Sequence, residues 1–280
     1  MIVIDRYWKI LMWITIIFLV LSVGILLNNI ATTGSFLKRD IDLSGGKVIT
    51  LEVGEVDINA VKQKLPYANV RLTTGFTKTL LVEIPFEIDE DEAINELRGI
   101  VLFSGGPSVR TVGPALGSLF FQQAQLALVA AFILMAITVF IIFRSPVPSS
   151  IVILATSTDI LGTMAVLSVL DVSLSLPVLA ALLTLIGYSV DTDILLTNEL
   201  VKGKNVQAGV LHAMKTGLTM TTTTLVALIA MYFVSGSYVI EQIALVLLIG
   251  LIIDMPATWL TNAGVLRWWL ERKQKRENTV

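Results

Sequence analysis

Six long apolar stretches constrain this chain more than any other feature. A helix needs about 20 apolar residues to cross the hydrocarbon core of a bilayer, and such stretches lie at 8–27, 119–143, 150–170, 176–197, 217–234 and 239–262. The first is longer than the apolar region of a signal peptide and no A-x-A-like cleavage site follows it, so we interpret it as a retained span. The sequence therefore predicts a polytopic α-helical membrane protein with six transmembrane helices in the cell membrane.

The composition excludes several classes of protein. Of the 280 residues, 55% are hydrophobic and 15% are charged, whereas charged residues make up about 25% of a typical soluble domain. The net charge of −2 offers no basic field for nucleic acid. The chain lacks cysteine and has a single histidine, His212, which argues against disulfides, thiol nucleophiles and the common zinc sites. We expect the lipid bilayer to surround the chain, and we expect no cofactor and no nucleic-acid partner.

Lys and Arg in the short loops predict the orientation. They precede span 1, lie between spans 2 and 3 and between spans 4 and 5, and follow span 6, whereas the loops 171–175 and 235–238 carry none. Both termini are therefore predicted to be cytoplasmic. The predicted organisation is a cytoplasmic start with span 1 (1–27), an extracytoplasmic domain (28–118), spans 2 to 6 (119–266) and a basic cytoplasmic tail (267–280).

Residues 28–118 are predicted to form a small α+β domain. Helices are expected at 57–65, with Asp57 as the N-cap, and at 89–98, whose first turn is acidic. A glycine-containing turn at 74–77 suits a hairpin, and the glycine pairs 45–46 and 105–106 suit tight turns. Strand-like runs occur at 47–53, 68–73, 79–84 and 108–112. The order β-α-β-β-α-β is that of a ferredoxin-like split βαβ unit.

Acidic residues inside the spans are the candidate functional residues, because each Asp at a helix centre costs about 2.5–3.5 kcal/mol on insertion scales. At 1.5 Å per residue, Asp159, Asp191 and Asp254 lie roughly 14, 9 and 12 Å from the inner ends of their spans. They are predicted to share a layer, which favours proton or ion handling. Asp193 lies two residues from Asp191 and faces another side of the helix. Glu241, near the outer boundary, is interpreted as a solvated helix start.

Simpler structural roles stay open for several of these residues. Each Asp could serve only as a packing partner for Ser, Thr or backbone groups. The threonines that begin span 5, Thr222 among them, either pack helices together or line a polar path. Lys215 either extends to the membrane interface or pairs with a carboxylate of span 4, and His212 is interpreted as interfacial. Pro256, two residues after Asp254, predicts a kink or freed backbone carbonyls.

Three motifs, in order along the chain, resemble one family. Asp40-Ile41-Asp42-Leu43-Ser44-Gly45-Gly46 follows span 1, Val112-Gly113-Pro114-Ala115-Leu116-Gly117 precedes span 2, and Ala181-Leu182-Leu183-Thr184-Leu185-Ile186-Gly187-Tyr188-Ser189 lies in span 4. Together with six spans and one large domain after span 1, they are similar to SecF, the smaller partner in the SecD–SecF accessory complex of protein export. The family's structural elements correspond here to Asp42, Gly45, Gly46, Gly113, Pro114, Gly117, Gly187 and Tyr188.

The chain departs from the bacterial form of the family at several positions. Thr158 stands where bacterial members have His before the acid matched by Asp159. Val190-Asp191-Thr192-Asp193 and Asp254-Met255-Pro256 resemble the archaeal form, so the functional acid maps to Asp191 or Asp193. Lys215 lies near the place of a bacterial Arg, and Lys does not replace the fixed fork of an Arg.

The resemblance implies an RND-type architecture that uses proton or sodium motive force. It implies a SecD-type membrane protein, the Sec translocon channel and unfolded substrate polypeptide as partners. The expected ion pathway then comprises Asp191, Asp193, Asp159, Asp254, Lys215 and Thr222.

Two other functions compete with this one. A stand-alone, proton-coupled exporter of small molecules or lipids would use the same acids, but six spans are half of a two-fold transporter, so it would need a homodimer. An intramembrane aspartyl protease would use Asp159 and Asp191. The Gly-x-Gly-Asp element of such proteases is absent, with Gly187 four residues before Asp191. We expect the chain not to be an enzyme.

Overall fold

The computed structural model describes residues 2–74, 78–202 and 206–277. Within this part, six helices are long and apolar enough to cross a membrane, namely Met12–Thr33, Pro114–Phe143, Pro146–Val169, Leu176–Val201, Ala208–Val234 and Tyr238–Leu270. They confirm the six predicted spans, and the small antiparallel domain lies between the first and the second of them.

The elements follow one another in a simple order. They are α1 (Ile2–Thr33), α2 (Ile41–Ser44), β1 (Gly46–Val53), α3 (Ile58–Lys64), β2 (Asn69–Thr74), β3 (Lys78–Ile84), α4 (Glu90–Arg98), β4 (Phe103–Val112), α5 (Pro114–Phe143), α6 (Pro146–Val169), α7 (Leu176–Lys202), α8 (Val206–Val234), α9 (Tyr238–Pro256), a π-helical segment (Ala257–Asn262) and α10 (Ala263–Glu277).

The domain contains one four-stranded antiparallel sheet of order β2-β3-β1-β4. In the central strand β1, Ile49 pairs with Val82 of β3 and with Val109 of β4. Asp57 caps α3 as expected, and Asp89, predicted as part of the first turn of the next helix, caps α4; each accepts a backbone N–H from two residues ahead. The βαββαβ order confirms the ferredoxin-like prediction, while residues 75–77 of the predicted turn at 74–77 lie outside the described residues.

The second glycine pair does not form the expected tight turn. Strand β4 begins at Phe103, five residues before the predicted start, and the pair lies inside it. The register with β1 shifts there, since Ser104 pairs with Glu52 and Ser108 pairs with Thr50. Gly105, with φ +88°, adopts a backbone conformation that other residues rarely reach, so the pair forms a β-bulge.

The first glycine pair, Gly45-Gly46, brings the motif that follows span 1 into contact with the motif that precedes span 2. Gly45 ends α2 with φ +84°, and a Cβ on Gly117 would lie 2.6 Å from the Gly45 nitrogen. A Cβ on Gly45 would in turn lie 2.6 Å from the Cα of Pro114, the first residue of α5. The chain after span 1 therefore packs directly on the start of span 2, and neither contact leaves room for a side chain.

The middle of the helical bundle is formed by α6, α7 and α9. Leu182, Leu185 and Leu196 of α7 are fully buried. Helix α1 packs against α6, where a Cβ on Gly162 would meet the ring of Phe18 at 2.6 Å. The spans formed by α1, α5 and α8 bury much less of their surface.

The predicted break at Pro256 takes the form of a π-helix. Pro256 has no backbone N–H, so the regular hydrogen-bond pattern of α9 cannot continue through it. The wider turns of Ala257–Asn262 follow, and the helix then continues as α10. Single π-helical turns inside α-helices occur frequently at functional sites.

A polar junction joins the domain to the helical bundle. Arg71 of β2 donates to Ser173 Oγ at 2.6 Å and to the hydroxyl of Tyr238 at the start of α9. Gln242 also donates to that hydroxyl, at 2.6 Å. On the domain side of Arg71, Glu83 Oε1 lies 3.7 Å from its guanidinium. These contacts fix the sheet against the helix ends.

Candidate functional site

Three carboxylates from three different spans meet in the middle of the helical bundle. Asp159 of α6, Asp193 of α7 and Asp254 of α9 are each completely buried. Asp254 interacts electrostatically with both of the others. We call these three residues the acid cluster.

Hydroxyl and amide groups of α7 and the π-helical segment hold the acid cluster. Ser189 donates to Asp159 Oδ2 at 2.6 Å. Asn262 donates to Asp193 Oδ1 at 2.7 Å. Each donor is a neutral group, so the cluster contains acids but no compensating cation among its described hydrogen-bond partners.

Thr258 connects two members of the cluster. Its hydroxyl lies 3.1 Å from Asp193 Oδ1 and 3.2 Å from Asp254 Oδ1. Thr192 lies 3.4 Å from Asp254 Oδ2. Because Thr258 belongs to the π-helical segment after Pro256, the irregular stretch of the last span positions the side chains that hold the cluster.

Two oxygens of the acid cluster accept no hydrogen bond from a hydroxyl, amide or backbone donor of the described part of the chain. They are Asp159 Oδ1 and Asp193 Oδ2. Buried polar atoms are almost always hydrogen-bonded, so an orphaned atom needs an explanation. A proton, a water molecule or a small cation at these oxygens would satisfy them.

The energetic balance argues against a purely structural role for the cluster. Three Asp residues at helix centres cost on the order of 8–10 kcal/mol on insertion scales. Four described side chains, Ser189, Thr192, Thr258 and Asn262, contact the three carboxyls, and since the hydroxyl of Thr258 has one proton for two of these contacts, at most four hydrogen bonds form at once. Interhelical hydrogen bonds in membranes average about 0.6 kcal/mol each, so they return about 2–3 kcal/mol. An apolar core would be more stable, which favours a functional reason for these acids.

The structure corrects the predicted layer of acids in one member. The sequence placed Asp191 with Asp159 and Asp254, but Asp191 is exposed on α7 and Asp193 takes its place. Asp191 and Asp193 lie at nearly the same depth along α7, but depth along a helix does not say which way a side chain points. Residues two apart face different sides, and tertiary packing turned Asp193 inwards. Asp159 and Asp191 therefore do not form the pair that an aspartyl protease would require.

The remaining predicted pathway residues lie outside the acid cluster. Lys215 and Thr222 are exposed on α8, and Lys215 forms no salt bridge with the described residues. The hydroxyls of Thr219, Thr223 and Thr224 bond to backbone carbonyls of their own helix. These three hydroxyls therefore bond within α8 and not across to another helix.

The residues that match structural elements of the family lie in two places, at the α+β domain and on the exposed side of α7. Asp42 is buried and forms a salt bridge of 2.8 Å with Arg110 of β4. Burial raises the pKa of Asp42 above its ordinary value, and Arg110 opposes that shift. Gly187 and Tyr188 instead lie on the exposed side of α7, and a Cβ on Gly187 would meet nothing within 4 Å.

Sequence reasoning missed the hydrogen-bond donors of the cluster. Ser189 precedes Asp193 by four residues, and Thr258 and Asn262 follow Asp254 at steps of four. Side chains four apart share one helix face, so polar residues at that spacing from an acid in an apolar span are the signal that could have identified them.

Comparison with known proteins places this geometry in context. A family model for the C-terminal part of the protein-export membrane proteins SecD and SecF matches residues 103–272. SecF of Pyrococcus furiosus is 36% identical over 273 residues, which cover 92% of this chain and 89% of that protein. SecF of Methanothermobacter thermautotrophicus is 38% identical over 247 residues, which cover 84% and 85%.

Two solved structures have a similar fold. The crystal structure of SecDF from Thermus thermophilus, a translocon-associated membrane protein, matches 94% of this chain with a TM-score of 0.76 and 21% identity. SecDF in a super-membrane-facing form matches 98% with a TM-score of 0.57 and 19% identity. This chain spans 38% and 40% of those two chains. At these identities the likeness shows the fold alone.

Proposed function

Since the chain belongs to the SecF family of protein-export membrane proteins, we propose that it is an auxiliary subunit of Sec-dependent export. In this proposal it uses proton or sodium motive force to help draw unfolded polypeptides through the Sec translocon channel. The observation that carries the coupling proposal is the acid cluster, three buried carboxylates with two orphaned oxygens.

We assign the ion-handling role to the acid cluster rather than to Asp191. A group that takes up and releases an ion during transport must be shielded from lipid and connected to neighbours that can compensate its charge. Asp193 meets both conditions, since it is completely buried and accepts from Thr258 and Asn262. In this proposal Asp159 and Asp254 alternate with Asp193 in holding the ion, and the π-helical segment shifts to let it pass.

The exposed side of α7 supports a SecD-type partner. Thr184, Gly187, Tyr188 and Asp191 are exposed at helical spacing within one span; we call them the α7 stripe. A charged residue facing lipid is costly, so such residues almost always face protein or water. We propose that the spans of SecD cover the α7 stripe, with Asp191 paired there.

We further propose the orientation that the loop charges predict, with both termini in the cytoplasm. The α+β domain would then lie on the outer side, where the translocated polypeptide emerges. Its polar junction with α9 would transmit movement between the acid cluster and the domain.

The test is an export assay in cells whose own SecF gene is replaced by this one. We expect Asp193→Asn to reduce the stimulation of export at least tenfold, because it removes the ionisable group and keeps the shape. The variant should still copurify with SecD. Asp91→Asn is the matched control, because Asp91 is an exposed acid of α4 in the α+β domain and its loss should leave export unchanged.

Two outcomes would count against this proposal. Normal export in the double variant Asp191→Asn/Asp193→Asn would exclude the carboxylate mechanism. Recovery of the chain as a homodimer without SecD, under several gentle extractions, would instead support a stand-alone exporter.

A further inference from the structure

An apolar cavity lies away from the acid cluster, between the spans formed by α5, α6 and α7. Its volume is about 450 Å³. Its floor consists of buried side chains of α6 and α7, among them Ile160, Met164 and Leu182. Of the residues that line it, three are polar, namely Ser35, Gln125 and Ser157.

The cavity opens sideways into the membrane. Val129 and Ile133 line it on α5 and are 57% and 52% exposed. Both lie inside a membrane span, so for the isolated chain in a bilayer this side of the cavity faces hydrocarbon.

The cavity is about as deep as one leaflet. From Phe121 to Phe132, two lining residues of α5, the helix rises about 17 Å at 1.5 Å per residue. One leaflet contributes about half of the 30 Å hydrocarbon core. Phe36 and Leu37, from the segment that leads into the α+β domain, close the end nearest the domain.

A cation lies at that same end. The Arg39 guanidinium stacks over the ring of Phe121 at 3.8 Å from its centroid, and Phe121 lines the cavity. Arg39 is exposed and forms no salt bridge within the described ranges of the chain, whereas its neighbour Lys38 pairs with Asp171. An Arg in this state presents its full donor fork to a phosphate.

We propose that this cavity binds one anionic phospholipid from the leaflet on the side of the α+β domain. An acyl chain fills the apolar space beside α5, and the phosphate binds Arg39 at the membrane surface. Basic pockets between transmembrane helices bind acidic lipid headgroups in this way. Neither half of the site suffices alone, because the cavity supplies the apolar surface and Arg39 supplies the selectivity for charge.

Native mass spectrometry of the full chain in detergent tests this proposal. The chain is titrated with phosphatidylglycerol, with phosphatidylcholine of the same acyl chains, and with glycerol phosphate as a headgroup without chains. We expect one phosphatidylglycerol per chain, bound at least tenfold more tightly than phosphatidylcholine, and no retention of glycerol phosphate.

Variants separate the two halves of the site. Arg39→Gln should abolish the preference between the two lipids, and Arg98→Gln, at an exposed Arg at the end of α4, should keep it. Ala124→Phe, which fills the cavity, should weaken the binding of both lipids at least tenfold. Ala127→Phe, an exposed position of α5 outside the cavity, is the matched control. If Ala124→Phe fails to fold, Ser157→Leu fills the cavity from α6.

Four results would overturn the proposal. If folded cavity-filling variants retain as much phosphatidylglycerol as the unmodified chain, the lipid is ordinary boundary lipid and does not occupy the cavity. Equal binding of glycerol phosphate would show a soluble phosphate site. Loss of the lipid when the chain is in complex with SecD would show that the partner covers the cavity, and a dimer in place of the lipid adduct would show that a second copy does.

Discussion

At the scale of single residues, buried charge distinguishes two regions of this molecule. In the membrane, the acid cluster is held by neutral donors such as Ser189 and Asn262. At the domain junction, Glu83 is buried beside another acid, Asp40, and receives a hydrogen bond of 2.8 Å from Asn69. Both places keep acids where desolvation opposes the charged form.

Glu83 makes the stability of the junction depend on pH. Burial raises its pKa to about 7, Asp40 adds to that shift, and Arg71 opposes it without cancelling it. A carboxyl with a raised pKa holds more protons in the folded state than in the unfolded state between about pH 4.5 and pH 7. Its contribution to stability is therefore lost as the pH rises through that window.

We predict that Glu83→Gln becomes more stable relative to the unmodified chain as the pH rises from 5 to 8. The gain should reach about 2–3 kcal/mol, following the size of the pKa shift. The measurement is the thermal midpoint of both full chains in detergent at each pH. Glu87→Gln, at an exposed acid of the same domain, should show no such trend, and a constant difference for Glu83→Gln would refute the argument.

At the scale of elements, close backbone contacts determine how the spans meet the domain. Helix α2 has only four residues, yet its end packs on the first turns of α5 through Gly45 and Gly117. The π-helical segment has a comparable role in the last span, where Pro256 removes a regular hydrogen bond. At the first place the positive φ of Gly45 lets α2 pack on α5, and at the second the π-helical segment positions the donors of the acid cluster.

We predict that Gly117→Ala destabilises the chain by about 1–3 kcal/mol, because overpacking forces the backbone apart. The added Cβ would lie 2.6 Å from the Gly45 nitrogen and 3.0 Å from the Ser44 carbonyl carbon, and backbone atoms cannot move aside as a side chain can. The matched control is Gly24→Ala in α1, where a Cβ meets nothing within 4 Å. Equal thermal midpoints for the two variants would show that the contact does not matter.

At the scale of the whole molecule, the bundle is asymmetric in what it buries. The middle helices α6, α7 and α9 enclose the acid cluster, while α7 also presents the α7 stripe outwards. One helix thus takes part in the proposed ion site on its inner face and in the proposed partner contact on its outer face. A shift of SecD against the α7 stripe would therefore move α7 and displace Asp193, which lies two residues from Asp191.

The orientation can be tested directly because the chain has no native cysteine. We predict that Glu55→Cys in the α+β domain reacts with a membrane-impermeant maleimide in intact cells. Val147→Cys, in the first turn of α6, should react only after the cells are permeabilised. Both positions are exposed, so accessibility reports the side of the membrane, and the reverse pattern would invert the proposed topology.

Local sequence patterns were sufficient to predict most of the helices and strands of this fold. The six spans follow from apolar length, since backbone groups in lipid must bond within their own helix. The βαββαβ order followed from alternation, caps and turn residues near Asp57 and Asp89. The glycine motifs and their order along the chain likewise indicated the family.

Which acids meet depends on the packing of helices that are distant in sequence. Asp191 and Asp193 have the same chemistry and nearly the same depth, and rotation of α7 against α9 turned Asp193 towards Thr258 and left Asp191 outside. The bulge at Gly105 and the contact of Gly45 with Gly117 also depend on partners distant in sequence. Periodicity gives the face of a helix relative to its own residues, but the packing of its neighbours decides which face is buried.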